Sequence, residues 1–424
     1  MASVDFKDTP EDAAFRAEVR AWLDANARPL GAGEDREIPM FTDGTRDDDV
    51  PQQQAWQKQL YDAGWGVITW PKEFGGREAT PMQNFIFRQE MARYDVPSSE
   101  IYLVPHGMVG PTIITHGTPE QTRRFIPKLA EGSEIWCQLW SEPGAGSDLA
   151  SLQTKCERDS SSNDWILNGQ KVWTTGAQWS RWGLIITRTD AELPKHRGLT
   201  VFVVDMHAPG VTVRPLRQIT GGADFNEVFF DDVRVPDDQR IGDVNDGWRV
   251  AMTTLMFERF AVGTGGSGEG MVAPLIRLAK SISRDGSGRA IDDEHVQQEI
   301  AKAFVKAKLL TLTGYRALSK IAKGAAPGAE GSIMKLVRTG LIYEISQLGT
   351  DLLGMSGALY GDTAPDDSFW SLNFLGSMGA KIGGGTDDIM RNILGERVLG
   401  LPKEPQVDRD MPFKDARAVA AKNA

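Results

Sequence analysis

At 424 residues the chain exceeds what one hydrophobic core ordinarily supports, so two or three domains are expected. With 25% charged and 41% hydrophobic residues it has the composition of a soluble globular enzyme, and its net charge of -11 argues against nucleic acid, whose phosphates need a basic face. Cys137 and Cys156 have no CxxC spacing and the five histidines form no cluster, so neither a disulfide framework nor a metal site is supported. The acidic start of the chain has no signal-peptide core and no run reaches membrane-spanning length, so a cytoplasmic protein that does not bind membranes is expected.

In chain order, Thr9-Pro10-Glu11-Asp12 reads as a helix start, with a threonine cap, proline in the first turn and acids favoured by the dipole. Phe15, Val19 and Trp22 then supply a buried face. Helical patterns follow at 55–63, 81–94, 102–116 and 119–130, so residues 1–134 are expected to form an all-α domain. From 135 to 243 the texture changes to short apolar or alternating runs at 184–187, 199–204, 211–216 and 228–230, separated by Gly, Pro and Asp. That is the signature of an antiparallel β-barrel or sandwich, and without interleaved helices a doubly wound fold is not expected. Helix resumes after Asp246, with candidates at 247–283, 293–323, 332–354 and 387–399, which read as a four-helix bundle over 244–400. The polar tail, 401–424, is expected to fray. The fold class is thus α+β and multidomain. Gly263, Gly265 and Gly268 satisfy G-x-G-x-x-G, but they follow a helical pattern and not a strand, so close helix packing explains them better than a dinucleotide site.

Two stretches carry candidate chemistry. In residues 136–152, WCQLWSEPGAGSDLASL, aromatic and apolar residues run directly into a turn where Gly144 and Gly146 free the backbone, successive N–H groups can form a nest, and Ser141 and Ser147 add hydroxyls. Residues 165–175, WILNGQKVWTT, alternate around Asn168-Gly169 as a two-residue hairpin does. Six of the 12 tryptophans fall between Trp136 and Trp182. They suit a planar heteroaromatic ligand, and equally a tryptophan-rich sheet core. Further on, Glu258 shares a helical stripe with Ala251, Leu255 and Val262, which places a carboxylate among apolar residues. It reads either as a general base or as half of an ion pair.

EPGAGSD at 142–148, NGQKVWTT at 168–175 and FNEVFFDDVRVP at 225–236 resemble the acyl-CoA dehydrogenase superfamily, and the likeness runs in order from about residue 12 to 402. It implies an FAD enzyme that turns an acyl-CoA substrate into a trans-2-enoyl-CoA, passing electrons to an electron-transferring flavoprotein. In that family a glutamate removes the α-proton while the β-hydrogen leaves as hydride. The glutamate sits at one of two places. One lies ahead of the last helix, where this chain has Gly384. The other precedes an arginine on the first bundle helix, as in members resembling isovaleryl-CoA and long-chain dehydrogenases, and Glu258-Arg259 matches it.

By the same resemblance Gln138, Trp140, Ser141, Trp173 and Thr175 would hold the flavin. Ser147 would stand at the mouth of the CoA channel and Arg259 near CoA. Arg284, Asp351, Gly354, Thr386 and Asp388 would reach a flavin across a subunit interface. Two departures stand out in that last set: Ser287 replaces an aromatic and Asp351 replaces a glutamine. They point beyond a homotetramer or dimer of dimers to a heterotetramer with a paralogue. Two other readings remain open, a non-catalytic or FAD-sharing subunit and a flavin oxidase or monooxygenase. The acyl group, fatty, branched or sterol-derived, is left open, as the resemblance extends to actinobacterial members acting on fatty acyl or sterol side-chain thioesters.

Overall fold

The computed structural model describes residues 8–31, 44, 47–263, 268–284, 286, 288–322, 328, 331–405 and 408–416. The first layer is helical. Helix α1 (Pro10–Asn26) starts as its sequence dictates: Thr9 Oγ1 accepts the Asp12 N–H at 3.1 Å and Pro10 occupies the first turn. Helix α2 (Asp49–Asp62) begins six residues earlier than the pattern predicts. Helices α3 (Pro81–Met91) and α5 (Pro119–Glu131), with α4 (Gly110–His116) between them, share one start signal, Thr-Pro-x-Gln. In both, the threonine hydroxyl and the glutamine side chain satisfy each other's backbone N–H groups in a capping box. The helix predicted over 102–116 is broken into a 3₁₀ turn (Glu100–Tyr102), a π turn (Pro105–Val109) and α4, because Pro105 and Pro111 remove backbone donors.

His106 lies in that broken stretch. Its ring is stacked on Tyr102 at 4.8 Å and meets Trp70 edge-on, and Nε2 donates to the Leu129 carbonyl at 2.9 Å. Burial pushes its pKa down from 6.5 to about 4. Between these values the unfolded chain takes up a proton that the folded chain refuses, so stability is full above pH 6.5 and falls as pH drops toward 4. Urea midpoints measured across that window should decline in the native protein and flatten in His106→Gln.

The middle layer is an eight-stranded sheet: β1 (Trp136–Leu139), β2 (Lys155–Arg158), β3 (Trp165–Thr175), β4 (Trp182–Arg188), β5 (Leu199–Asp205), β6 (Val211–Leu216), β7 (Phe225–Val235) and β8 (Arg240–Ile241). Its order is β8-β5-β4-β2-β3-β7-β6, with β1 also on β4. The pairs are antiparallel except β1–β4 and the single β2–β4 contact. Period-two alternation along β4 sends Leu184 and Ile186 toward Ile113, Phe125 and Leu129 of the helical layer, and Ile185 into a second core with Phe202, Val228 and Val233. Both cysteines are free and buried in that second core.

The hairpin expected at Asn168-Gly169 is not formed. Residues 165–175 are one continuous strand, paired on both sides, with a register shift between Leu167 and Gly169. A Cβ on Gly169 would stand 2.6 Å from Thr154 Oγ1, so the glycine serves close approach of β2 to β3.

The third layer comprises α6 (Gly247–Gly263), α7 (Ala273–Ser281), α8 (Glu294–Ala322), α9 (Gly331–Leu353), α10 (Phe369–Ile382) and α11 (Asp387–Ile393). The single helix expected over 247–283 is therefore two, and residues 264–267 of the Gly-rich stretch lie outside the described residues. Helix α10 adds to the four predicted. Its FWSLNFLGSMGAKI sequence is rich in aromatics, Gly, Ser and Asn, and the burial of Trp370, Leu372 and Asn373 overrides that weak propensity. Nor is all of the tail frayed: Phe413 is 6% exposed and residues 408–416 lie against the sheet domain. Among the described residues no helix is long and apolar enough to cross a membrane.

Candidate active site

Strand β1 delivers the chain into the turn over 140–152. Glu142 and Ala145 exchange backbone hydrogen bonds at 3.1 and 3.0 Å. The Glu142 carboxylate points inward, accepting N–H bonds from Gln153 at 2.6 Å and Thr154 at 2.8 Å, and an ion pair from Lys171 Nζ at 2.9 Å. Lys171 is fully buried on β3 and also donates to the Trp140 carbonyl at 3.0 Å. Burial pushes the Glu142 carboxyl up, but Lys171 and the N–H donors outweigh it and hold the pKa below 4.5. Burial pushes the Lys171 ammonium down to about 8, against the pull of Glu142. One ion pair thus binds the two motifs that stand out in the sequence. The available signal is that Lys171 is the one charged residue in the run 165–175.

The reason expected for Gly144 and Gly146 needs correction. Neither takes a positive φ, and a Cβ on either would meet nothing within 4 Å. They leave open space beside the turn and relieve no strained backbone. Ser147 is exposed on that turn, and Asp148 accepts a hydrogen bond from Ser151. Gln138 and Ser141 are half-buried, and the Ser141 carbonyl accepts the Val172 N–H at 2.9 Å, which sets the turn alongside the end of β3.

At that end Trp173 is 61% exposed, with a left-handed φ of 59° and its ring edge-on to Phe225 at 6.0 Å. A bulky residue in this conformation is uncommon, and such strain collects at ligand sites. Thr175 is exposed two residues on. Between them the buried Thr174 hydroxyl has no hydrogen-bond partner. An open indole face, adjacent hydroxyls and the free space at Gly144 fit a flat heteroaromatic group with a polar edge, as a flavin has.

The second part of the site comes from the bundle. Glu258 is half-buried on α6, which is tied to α4 by a buried Thr112–Thr254 hydroxyl contact at 2.9 Å and by His116 Nε2 on Thr253 Oγ1 at 2.8 Å. A Cβ on Gly384 would stand 3.4 Å from Glu258 Oε1. The two positions at which the resemblance allows a base are therefore neighbours in space. Gly384 and Gly385 take φ of 65° and 87°, and Thr386 caps α11 by accepting the Ile389 N–H at 3.1 Å. Lys335, buried on α9, fixes this loop by donating to Asp387 Oδ1 at 2.8 Å and to the Lys381 carbonyl at 3.1 Å. That lysine and aspartate were not singled out from the sequence.

The side chain of Arg259 and residue Ser287 lie outside the described residues. Arg284 is exposed and ion-paired with Asp293. Asp351 and Gly354 are exposed at the end of α9, and Asp388 is exposed and paired with Arg391 at 2.7 Å. A cleft of about 620 Å³, lined by His116, Arg124, Asp237, Arg240 and Arg249 among others, contains none of the predicted site residues. Among the described residues no group of three His, Cys, Asp or Glu could hold a metal ion.

Comparison with known proteins bears on this arrangement. Three family models match in chain order: acyl-CoA dehydrogenase, N-terminal domain, over residues 9–133; middle domain over 137–233; C-terminal domain over 245–399. The chain is 38% identical over 399 residues to acyl-CoA dehydrogenase IpdE1 of Mycobacterium tuberculosis, covering 92% of this chain and 98% of that protein. It is 41% identical over 349 residues to acyl-CoA dehydrogenase FadE34 of the same organism, covering 82% of this chain but 46% of that longer protein. Among solved structures it resembles a chain of the ChsE4-ChsE5 complex from M. tuberculosis, with a TM-score of 0.77, 30% identity and coverage of 95% of this chain and 100% of that one. A chain of the Tcur3481-Tcur3483 steroid ACAD has a TM-score of 0.78 with the same coverages, and at 24% identity that likeness shows the fold alone. A helical layer, a β-sheet and a helical bundle that match three consecutive family models, together with full-length relatives, lead to one conclusion: this chain belongs to the acyl-CoA dehydrogenase family and is an acyl-CoA dehydrogenase, a flavoprotein oxidoreductase.

Proposed function

We propose that the protein carries out FAD-dependent α,β-dehydrogenation of an acyl-CoA thioester to the trans-2-enoyl-CoA, with Glu258 as base and an electron-transferring flavoprotein as acceptor. The observation that supports this is the Glu258 carboxylate oxygen standing 3.4 Å from where a Cβ on Gly384 would be, so that the acid of α6 reaches the position ahead of α11 where the resemblance places the other possible base. Trp173 and Thr175 would hold a flavin, which when bound would supply the hydride acceptor. Glu258, half-buried on α6, takes the α-proton on a carboxylate oxygen. Ser141, Trp173 and Thr175, with Gln138 and Trp140 behind them, orient the ring. Ser147 would stand at the path of CoA, a role that the resemblance extends to Arg259. Arg284, Asp351, Gly354, Thr386 and Asp388 face a flavin shared with a neighbouring subunit.

The replacements at Ser287 and Asp351 favour a neighbour that is a paralogue, as does the likeness to a chain of a two-component complex. Straight-chain, branched and sterol-derived thioesters all remain open as the substrate class.

The test is the visible spectrum of the purified chain, followed by anaerobic titration with straight-chain, branched and sterol-derived acyl-CoA. Flavin absorbance that one thioester class bleaches supports the reading. A colourless chain that gains flavin only with a second subunit supports the FAD-sharing alternative. Rapid air reoxidation with peroxide release would move the assignment to an oxidase.

A further variant examines the pairing of Glu258 with Gly384. Gly384→Glu would bring a second carboxylate beside the first, at a left-handed φ of 65° that costs on the order of 1–3 kcal/mol. Two carboxylates sharing a site cannot both ionise readily, so the acid limb of the pH–rate profile is expected to move up by at least about one pH unit.

A further inference from the structure

The segment Asp408–Ala416 returns to the sheet domain and docks on the loop between β4 and β5. The Phe413 N–H donates to the Leu193 carbonyl at 2.9 Å, the Lys414 N–H donates to the Ala191 carbonyl at 3.1 Å, and Pro412 bridges to Pro194. From that seat two side chains reach the groups that hold the turn over 144–151. Lys195 Nζ donates to Asp408 Oδ2 at 2.8 Å and to Asp148 Oδ2 at 3.0 Å, and its side chain is only 11% exposed. Asp148 directly follows Ser147. Phe413 packs against the guanidinium of Arg188, 3.9 Å from the ring centroid. Arg188 in turn donates to the Ala150 carbonyl at 2.5 Å and to the Lys195 carbonyl at 2.8 Å.

Two cations thus stand between the carboxy-terminal segment and the turn, each touching both. Asp408 supplies half of the anionic environment of Lys195. Phe413 excludes water from Arg188, whose hydrogen bonds to backbone carbonyls strengthen in a dry setting. Deleting either side chain should therefore loosen the turn some distance from the deletion. A strap that merely capped the β4–β5 loop would show no such directed effect.

We propose that the segment Asp408–Ala416 is a positioning strap for the turn over 144–151, acting through Lys195 and Arg188, so that ligand affinity at Ser147 depends on the end of the chain. The proposal rests on reading that turn as the rim of the ligand site. Its test uses Asp408→Asn, Phe413→Ala and a chain ended after Pro405, with Asp408→Glu as the conservative rescue. Lys414→Ala, which removes a surface pair with Glu192 on the same strap, is the control.

Hydrogen–deuterium exchange of peptides spanning 142–152 should accelerate about tenfold in the first three variants and stay near native in the last two, while peptides from α1 to α3 do not change. The Kd for free coenzyme A and for FAD should rise about five- to tenfold in the same three, with kcat within about twofold of native because Glu258 is on a different element. Unchanged exchange at the turn would overturn the proposal, and so would uniform loosening of the whole sheet. Protection of the 144–151 amides by coenzyme A or FAD in the native chain reports on the site reading alone. Its absence, with the turn still loosened in the variants, would discard the ligand site and retain the strap.

Discussion

Glu258→Gln is expected to lower turnover of every acyl-CoA substrate by about 10²–10⁴-fold, the contribution of a positioned general base. The amide keeps the size of the carboxylate and its place against Gly384, so flavin content and thioester affinity should stay within a few-fold of native. The loss belongs to kcat and kcat/KM alike, the pattern of a group that acts only in the transition state. Anaerobic stopped-flow bleaching reads it directly. A variant that bleaches within tenfold of the native rate would place the base elsewhere.

The largest expected stability effect lies at Lys171. Lys171→Met leaves the Glu142 carboxylate buried with two backbone N–H groups and no direct ion-pair partner, only the more distant Arg188 charge, a change that costs about 3–5 kcal/mol for a pair of this kind. In the native chain the Glu142 pKa lies below its usual 4.5, so its contribution is fully present above pH 4.5 and is lost as pH falls through the lower folded value. Without Lys171 the unpaired charge is the burden, and protonation relieves it. The gap between native and variant in denaturant midpoint should therefore be widest at neutral pH and narrow as pH falls below 4.5. The double variant Lys171→Met, Glu142→Leu should recover part of the loss, because it removes both charges and not one. A single variant as stable as the native chain would mean that the pair does not hold the turn.

Much of this architecture was legible in the sequence because its signals are local. Thr-Pro-x-Gln twice announces a capped helix, and the change from helical to alternating texture after residue 134 announces the sheet. The motifs at 142–148 and 168–175 stand out in the sequence, and the chain places them side by side, with the Val172 N–H donating to the Ser141 carbonyl and Lys171 paired with Glu142. What stayed hidden depends on contacts distant in the chain. Asn168-Gly169 has the composition of a hairpin, yet Thr154 on one side and Asp232 on the other bind it as a continuous strand. Lys171 and Glu142 are 29 residues apart, and nothing local marks them as partners. Helix α10 forms through burial of Trp370 against helices that its own sequence does not specify. The proximity of Glu258 to Gly384 emerged only with the bundle assembled, although resemblance had named both positions. The anchored strap rests on one phenylalanine in a polar run.

The placement of the two cysteines has a practical consequence for all of these experiments. Both are sealed in the second core of the sheet, where burial pushes each thiol up to about 12. A thiol that stays protonated and enclosed is inert to maleimides and other thiol reagents. The native chain is therefore a blank for site-directed labelling, with no endogenous cysteine to remove. Lys414→Cys would carry a single fluorophore on the strap, and the departure of the strap from the sheet could be followed in real time in the otherwise native protein.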